Sequence, residues 1–225
     1  MKGWHWTLHE MKLQWKNGLY LIYILVTLLY ILLLGYVPEA YKGEVATFLV
    51  VSDPTFLGMI FVGGILLLEK NQGIPKGIGI SPLGSKGYIL SKVISLLVIT
   101  LLTSICLMKV GHLRITFVKG IGLMLGASLF TLIGILIGSF AKSTNDFIFW
   151  IALFVTPFAP PVISFYFFKG VRLLHFIPTY TLLEILSDTP LSLSEECLRL
   201  AYLGLWLVGT FAITKKIVED RIFVR

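Results

Sequence analysis

Charge is scarce in this chain. Only 14% of its 225 residues are Asp, Glu, Lys or Arg, where a soluble domain carries about a quarter, and 56% are hydrophobic. With mean hydropathy at +0.89, too few charges exist to coat a water-soluble particle of this size. Lipid is therefore the solvent for most of the chain. Cysteine is nearly absent: Cys106 and Cys197 stand alone in or near apolar runs, which gives a disulfide no support and predicts buried structural roles. Acidic residues number 12 against 19 basic ones, for a net charge of +7. In a membrane protein that excess is first a matter of topology, so no nucleic-acid partner is expected. The 13% of aromatic residues excludes a disordered chain.

What charge there is cuts the chain into long apolar runs. An α-helix rising about 1.5 Å per residue needs roughly 20 residues to cross the hydrocarbon core. Six spans are expected, at about 18–37, 54–70, 89–108, 118–140, 147–168 and 197–214. The third and sixth are completed by letting Lys92 and Arg199 snorkel to the interface. The runs are continuously apolar and lack the short alternation of barrel strands, so the predicted class is an all-α integral membrane protein, a single domain over 1–225.

Basic residues then orient it. With six spans, the side holding both termini takes Lys2, Lys12, Lys16, the four lysines from Lys70 to Lys92, Lys142 and the four basic residues after Thr214. The other side takes Lys42, Lys109, Arg114, Lys119, Lys169, Arg172 and Arg199. The excess places both termini in the cytoplasm and the chain in the cytoplasmic membrane as a multi-pass protein. Lys109, Arg114 and Lys119 dissent, flanking an outer connection.

The first 17 residues are amphipathic. Trp4, Leu8, Met11, Trp15 and Leu19 recur every three or four residues, with Lys2, His5, His9, Lys12 and Lys16 largely off that stripe. This predicts an interfacial elbow helix, apolar face toward the acyl chains. His5 and His9 lack a third metal ligand and read as solvated. On the outer side, 38–52 and 169–196 are the long connections. The second is too apolar for a free loop and is expected to dip back toward the membrane, broken by Pro178.

Few residues offer chemistry. Residues 79–86 read GISPLGSK, with the glycine spacing of a phosphate-binding loop, but Ser85 precedes Lys86 where Lys followed by Ser or Thr is needed. No ATP site and no metal site are expected in this chain. Asp53 before Pro54 reads as a helix cap with proline at the first helical position, or as an intramembrane carboxylate on a transport path. Gly122 with Gly126, and Gly134 with Gly138, form two pairs spaced for close helix packing. Thr156, Pro157, Pro160 and Pro161 predict a break in the fifth span.

The stretch 53–93, DPTFLGMIFVGGILLLEKNQGIPKGIGISPLGSKGYILSKV, resembles the second span and following loop of the type-2 family of ATP-binding-cassette export permeases. The matching features are Asp53-Pro54, Leu68-Glu69-Lys70, Gln72-Gly73, Ser81-Pro82-Leu83, then Tyr88 and Ser91-Lys92. The elbow, six spans, a glycine-rich fourth span and Ile177-Pro178-Thr179 before the last span extend the likeness over nearly the whole chain.

The resemblance implies a permease subunit, not an enzyme, in which the cytoplasmic loop 71–88 docks on a separate ATPase. Glu69, Lys70, Gln72, Gly73, Ser81, Pro82 and Leu83 occupy the coupling positions. ATP and Mg would be held by that partner, and the chain would pair with a second copy or a sister permease. The implied work is alternating-access export of an apolar or amphipathic substrate. Pro75, Gly77 and Gly79 disfavour helix within the loop, so its coupling helix is expected to be short or interrupted. Two other classes compete: a membrane-embedded enzyme acting on lipid or peptide, and a non-transporting scaffold or immunity subunit.

Overall fold

A computed structural model describes residues 2–52, 56–79, 84–158, 162, 165–166 and 176–223. Among these the protein is all helical. Helices α1 (Lys2–Lys16) and α2 (Leu19–Tyr36) are joined at Gly18, whose φ of 74° is open to glycine at little cost. Helices α3 (Glu39–Val50), α4 (Phe56–Asn71), α5 (Ile74–Gly79) and α6 (Gly84–Val110) follow. After them come α7 (Phe117–Phe140), α8 (Thr144–Val155), a 3-10 turn at Thr156–Phe158, α9 (Pro178–Leu186) and α10 (Leu193–Arg221).

Local chemistry sets several of these ends. Gly73, at φ 72°, closes α4 by donating its N–H to the Lys70 carbonyl. Ser143 caps α8, accepting from the Asp146 N–H. Ser192 and Glu195 form a reciprocal capping box on α10. Pro178 opens α9 at a first-turn position, so it starts this helix where a break was expected.

Among the described residues four helices, α2, α6, α7 and α10, are long and apolar enough to cross a membrane, and the chain is a multi-pass membrane protein. The expected second span corresponds to α4, of 16 residues. The fifth corresponds to α8, which gives way to the 3-10 turn where Thr156 and Pro157 stand. The connection expected at 38–52 is largely the helix α3, which buries Ala46, Leu49 and Val50 and packs on α6.

Helix α7 is the axis of the bundle, touching α4, α6, α8, α9 and α10. Lipid gives no hydrophobic drive to helix association, so close backbone approach is the main means. A Cβ on Gly134 would run into the Met59 carbonyl, and one on Gly138 into Gly63, so α4 crosses α7 almost backbone to backbone. Gly122 and Gly126 instead make room for Ile185 and Leu182 of α9. Cys106 and Cys197, expected to be buried, are exposed. They share that surface with neighbours such as Ile105 and Leu198, the kind of apolar surface a bilayer covers.

Candidate functional site: a buried ion cluster beside the α4–α6 loop

Helix α6 carries a polar stripe. Ser85, Tyr88, Lys92 and Ser95 are spaced by three or four and lie on one face of its first turns. All are buried, and Lys92 is 1% exposed. A lone ammonium there would cost several kcal/mol, so its partners define the site. They come from two other helices. Lys92 Nζ lies 2.6 Å from Glu69 Oε1 at the end of α4, and 3.1 Å from Glu10 Oε2 on α1. Its expected snorkelling is thus replaced by a buried ion pair, because carboxylates come to it.

The remaining polar atoms are largely occupied. The Tyr88 hydroxyl donates to the second Glu69 oxygen, and the Lys92 ammonium sits 4.9 Å from the Tyr88 ring centre. Gln14 Nε2 donates to Ser95 Oγ at 2.6 Å, and Ser95 Oγ donates to the Lys92 carbonyl. Ser85 Oγ donates to Glu219 of α10, and Phe223 packs edge-on against Tyr88. Four helices, α1, α4, α6 and α10, are tied together around the loop that contains α5.

Two carboxylates face one ammonium. Desolvation by burial pushes the Glu10 carboxyl above the ordinary carboxylate range and Glu69 adds to this, while the pull of Lys92, with its hydrogen bond, and His9 oppose it. Glu10 therefore retains a proton more readily than a solvated glutamate.

This arrangement also turns the elbow's polar face inward. Thr7, Glu10 and Gln14 are buried on the side that packs against α6, whereas Trp15 is 68% exposed and Leu8 is exposed beside it. Of the expected apolar stripe, Leu8 and Trp15 are free for lipid, Met11 is half-buried and Leu19 is packed in the core. Sequence reasoning misses Glu10 and its neighbours, though the 7, 10, 14 spacing of polar residues is there to find.

The chain is 27% identical over 191 residues to the fluoroquinolones export permease protein of Mycobacterium tuberculosis, in strains Oshkosh and H37Rv. The alignment takes in 80% of this chain and 74% of each relative. The chain is thus akin to an export permease. These relatives bear out the resemblance to ATP-binding-cassette export permeases drawn from residues 53–93. No family model and no solved structure matches the chain.

The permease residues singled out in the sequence divide into four groups. Glu69 is in the cluster, 8% exposed. Lys70, its neighbour, points to α7 and donates to the carbonyls of Ser139 and Ala141 at 3.0 and 2.6 Å. Gln72 and Gly73 form the exposed turn into α5, a helix of only six residues that takes in Pro75, Gly77 and Gly79. Asp53, Pro54, Ser81, Pro82 and Leu83 lie outside the described residues. Among the other basic residues, Arg199 does not snorkel. It makes a two-point bond to Glu184 of α9, at 2.8 and 3.0 Å. Lys119 pairs with Asp188, and Lys42 with Glu39, so three of the cations assigned to the outer side are neutralised locally.

Proposed function

We propose that this chain is the permease subunit of an ATP-driven exporter in the cytoplasmic membrane, with six spans, cytoplasmic termini and no catalytic centre of its own. The carrying observation is the likeness to an export permease over 80% of the chain. In this reading ATP and Mg belong to a separate cassette ATPase, and two permease chains, identical or sister, form the pathway. The loop 71–88 docks on the ATPase, with Glu69, Gln72, Gly73 and Ser81-Pro82-Leu83 at or beside the contact.

The ion cluster gives that loop a mechanical role. Glu69 stands just before the loop, and Lys92 two turns into the helix that follows it, so a push on the loop moves α4, α6 and the elbow as one body. Alternating access then follows from rigid movement of this body against the rest of the bundle.

An apolar or amphipathic cargo, of the class named for the relatives, suits a cavity of about 780 Å³ whose lining includes Phe165, Tyr166, Tyr180, Glu44 and Glu184. That volume lies in the range of small-molecule sites. Rings supply apolar contact and carboxylates supply polarity.

The test uses inside-out vesicles containing this chain and a co-expressed cassette ATPase, supplied with a fluorescent fluoroquinolone and ATP. ATP-dependent accumulation that is lost on Glu69→Ala is expected. Accumulation equal with and without ATP, or an ATPase that never co-purifies, refutes the reading.

A further inference from the structure

Away from the ion cluster, a second group of charges surrounds an open cavity of about 530 Å³ lined by Phe140, Lys142, Ser143, Asp146, Trp150 and Arg221. It lies where α7 ends, α8 begins and α10 ends. Among the described residues that line it are two cations and one carboxylate, which leaves it net positive. The Arg221 guanidinium lies 4.5 Å from the Phe140 ring centre, and Phe140 stacks with Trp150 at 5.3 Å. The guanidinium donates no hydrogen bond among the described residues, so its N–H donors, which bind a phosphate in two-point fashion, stay available beside the ring. Neither Lys142 nor Arg221 makes an ion pair among the described residues. Asp146, the carboxylate among the described lining residues, is held by backbone: one oxygen accepts the Lys142 N–H at 2.8 Å. Lys70, close enough to act electrostatically on Arg221 and Lys142, adds a third cation whose donors go to the α7 carbonyls.

The surroundings say which anion fits. Within two turns of the cavity, α8 exposes Ile148, Phe149 and Leu153, an apolar face for acyl chains, and Trp150 stands at its margin. A tryptophan and free cations at the edge of a lipid-facing surface mark headgroup depth. We propose that Lys142, Arg221 and Trp150 form a binding site for the phosphate headgroup of an anionic phospholipid. The guanidinium edge and the Lys142 ammonium bind the phosphate oxygens, Trp150 packs on the glycerol region, and the acyl chains run along Ile148, Phe149 and Leu153.

Native mass spectrometry of the full chain released from detergent tests this, with phosphatidylglycerol, phosphatidylcholine and inorganic phosphate as separate probes. The wild-type chain retains phosphatidylglycerol in preference to phosphatidylcholine. The double variant Lys142→Gln, Arg221→Gln loses that preference by roughly fivefold per cation, and the charge-retaining Lys142→Arg, Arg221→Lys pair keeps most of it. A control pair on the elbow, Lys12→Gln with Lys16→Gln, leaves it unchanged. If the double variant fails to fold, the single variants Lys142→Gln and Arg221→Gln, each about fivefold weaker, serve instead. Equal retention of the two lipids overturns the proposal, as does full retention of phosphatidylglycerol by the variants. Inorganic phosphate bound as firmly as the lipid would assign the site to a free anion. Loss of a co-expressed ATPase from the double variant with lipid binding intact would assign it to a protein surface.

Discussion

The ammonium of Lys70 lies 2.6 Å from the carbonyl oxygen of Ala141, one residue beyond the end of α7. It also donates to Ser139, so a side chain from α4 satisfies the carbonyls that the end of a helix leaves open. The same two helices meet through Gly63, Gly134 and Gly138. A backbone contact and a charged clamp thus fix α4 against α7 at neighbouring levels.

Removing that clamp is expected to loosen the pair. Lys70→Met leaves the α7 carbonyls without their charged donor and costs about 1.5–3 kcal/mol, whereas Lys70→Arg retains most of the stability. Thermal unfolding in detergent, followed by circular dichroism, checks this through the shift in midpoint. A midpoint unchanged by Lys70→Met would show that solvent or detergent replaces the donor.

The glycine contacts predict opposite responses at two kinds of site. Gly134→Ala drives a Cβ into the Met59 carbonyl and costs about 1–3 kcal/mol as the helices move apart. Gly204 and Gly209 face open space on α10, so alanine there is neutral or stabilises by up to about 1 kcal/mol. The same unfolding assay ranks the three variants, and a stabilising Gly134→Ala would contradict the close crossing.

In the ion cluster, the order of damage follows from which charge is left alone. Lys92→Met strands Glu10 and Glu69 and costs about 3–5 kcal/mol. Glu10→Gln leaves Lys92 with Glu69 and costs much less. Adding Glu10→Gln and Glu69→Gln to Lys92→Met restores part of the loss, a coupling that a multiple-mutant cycle measures. Strict additivity of the three changes would show that they do not act as a unit.

Docking of α1 is expected to weaken as pH rises. Burial raises the Glu10 carboxyl above its ordinary range, so in the window between those values the docked helix binds more protons than the undocked one. Stability is full below that window and is lost through it as pH increases. The groups facing Glu10 are Lys92, Glu69, Tyr88 and His9. Hydrogen exchange of residues 5–16, corrected for its intrinsic pH dependence, gives the profile, and Glu10→Gln flattens it. Protection that grows with pH would reverse the assignment.

The helical character of the chain is legible in sequence because an uncharged run of span length has to satisfy its own backbone in lipid, and a helix does so within the run itself. So is the break at Thr156 and Pro157, where a proline removes a donor and a 3-10 turn follows α8. The cluster is half legible. Glu69 comes from a motif, but Lys92 reads as snorkelling because a lysine near a span end has two low-cost solutions. Which one applies depends on carboxylates 23 and 82 residues away in sequence. Helix α3 is hidden by Pro38, Gly43 and two glutamates, which look like a loop until Ala46, Leu49 and Val50 are seen packed inside.

The inward polar face of α1 carries a consequence for assembly. In water its Trp15 and Leu8 surface has no cover, and in lipid alone Thr7, Glu10 and Gln14 have none. The helix settles only when a bilayer and α6 are both at hand. Since Lys92 and Ser95 are made some eighty residues after Glu10 and Gln14, an early segment of the chain waits at the membrane surface for its own downstream anchor.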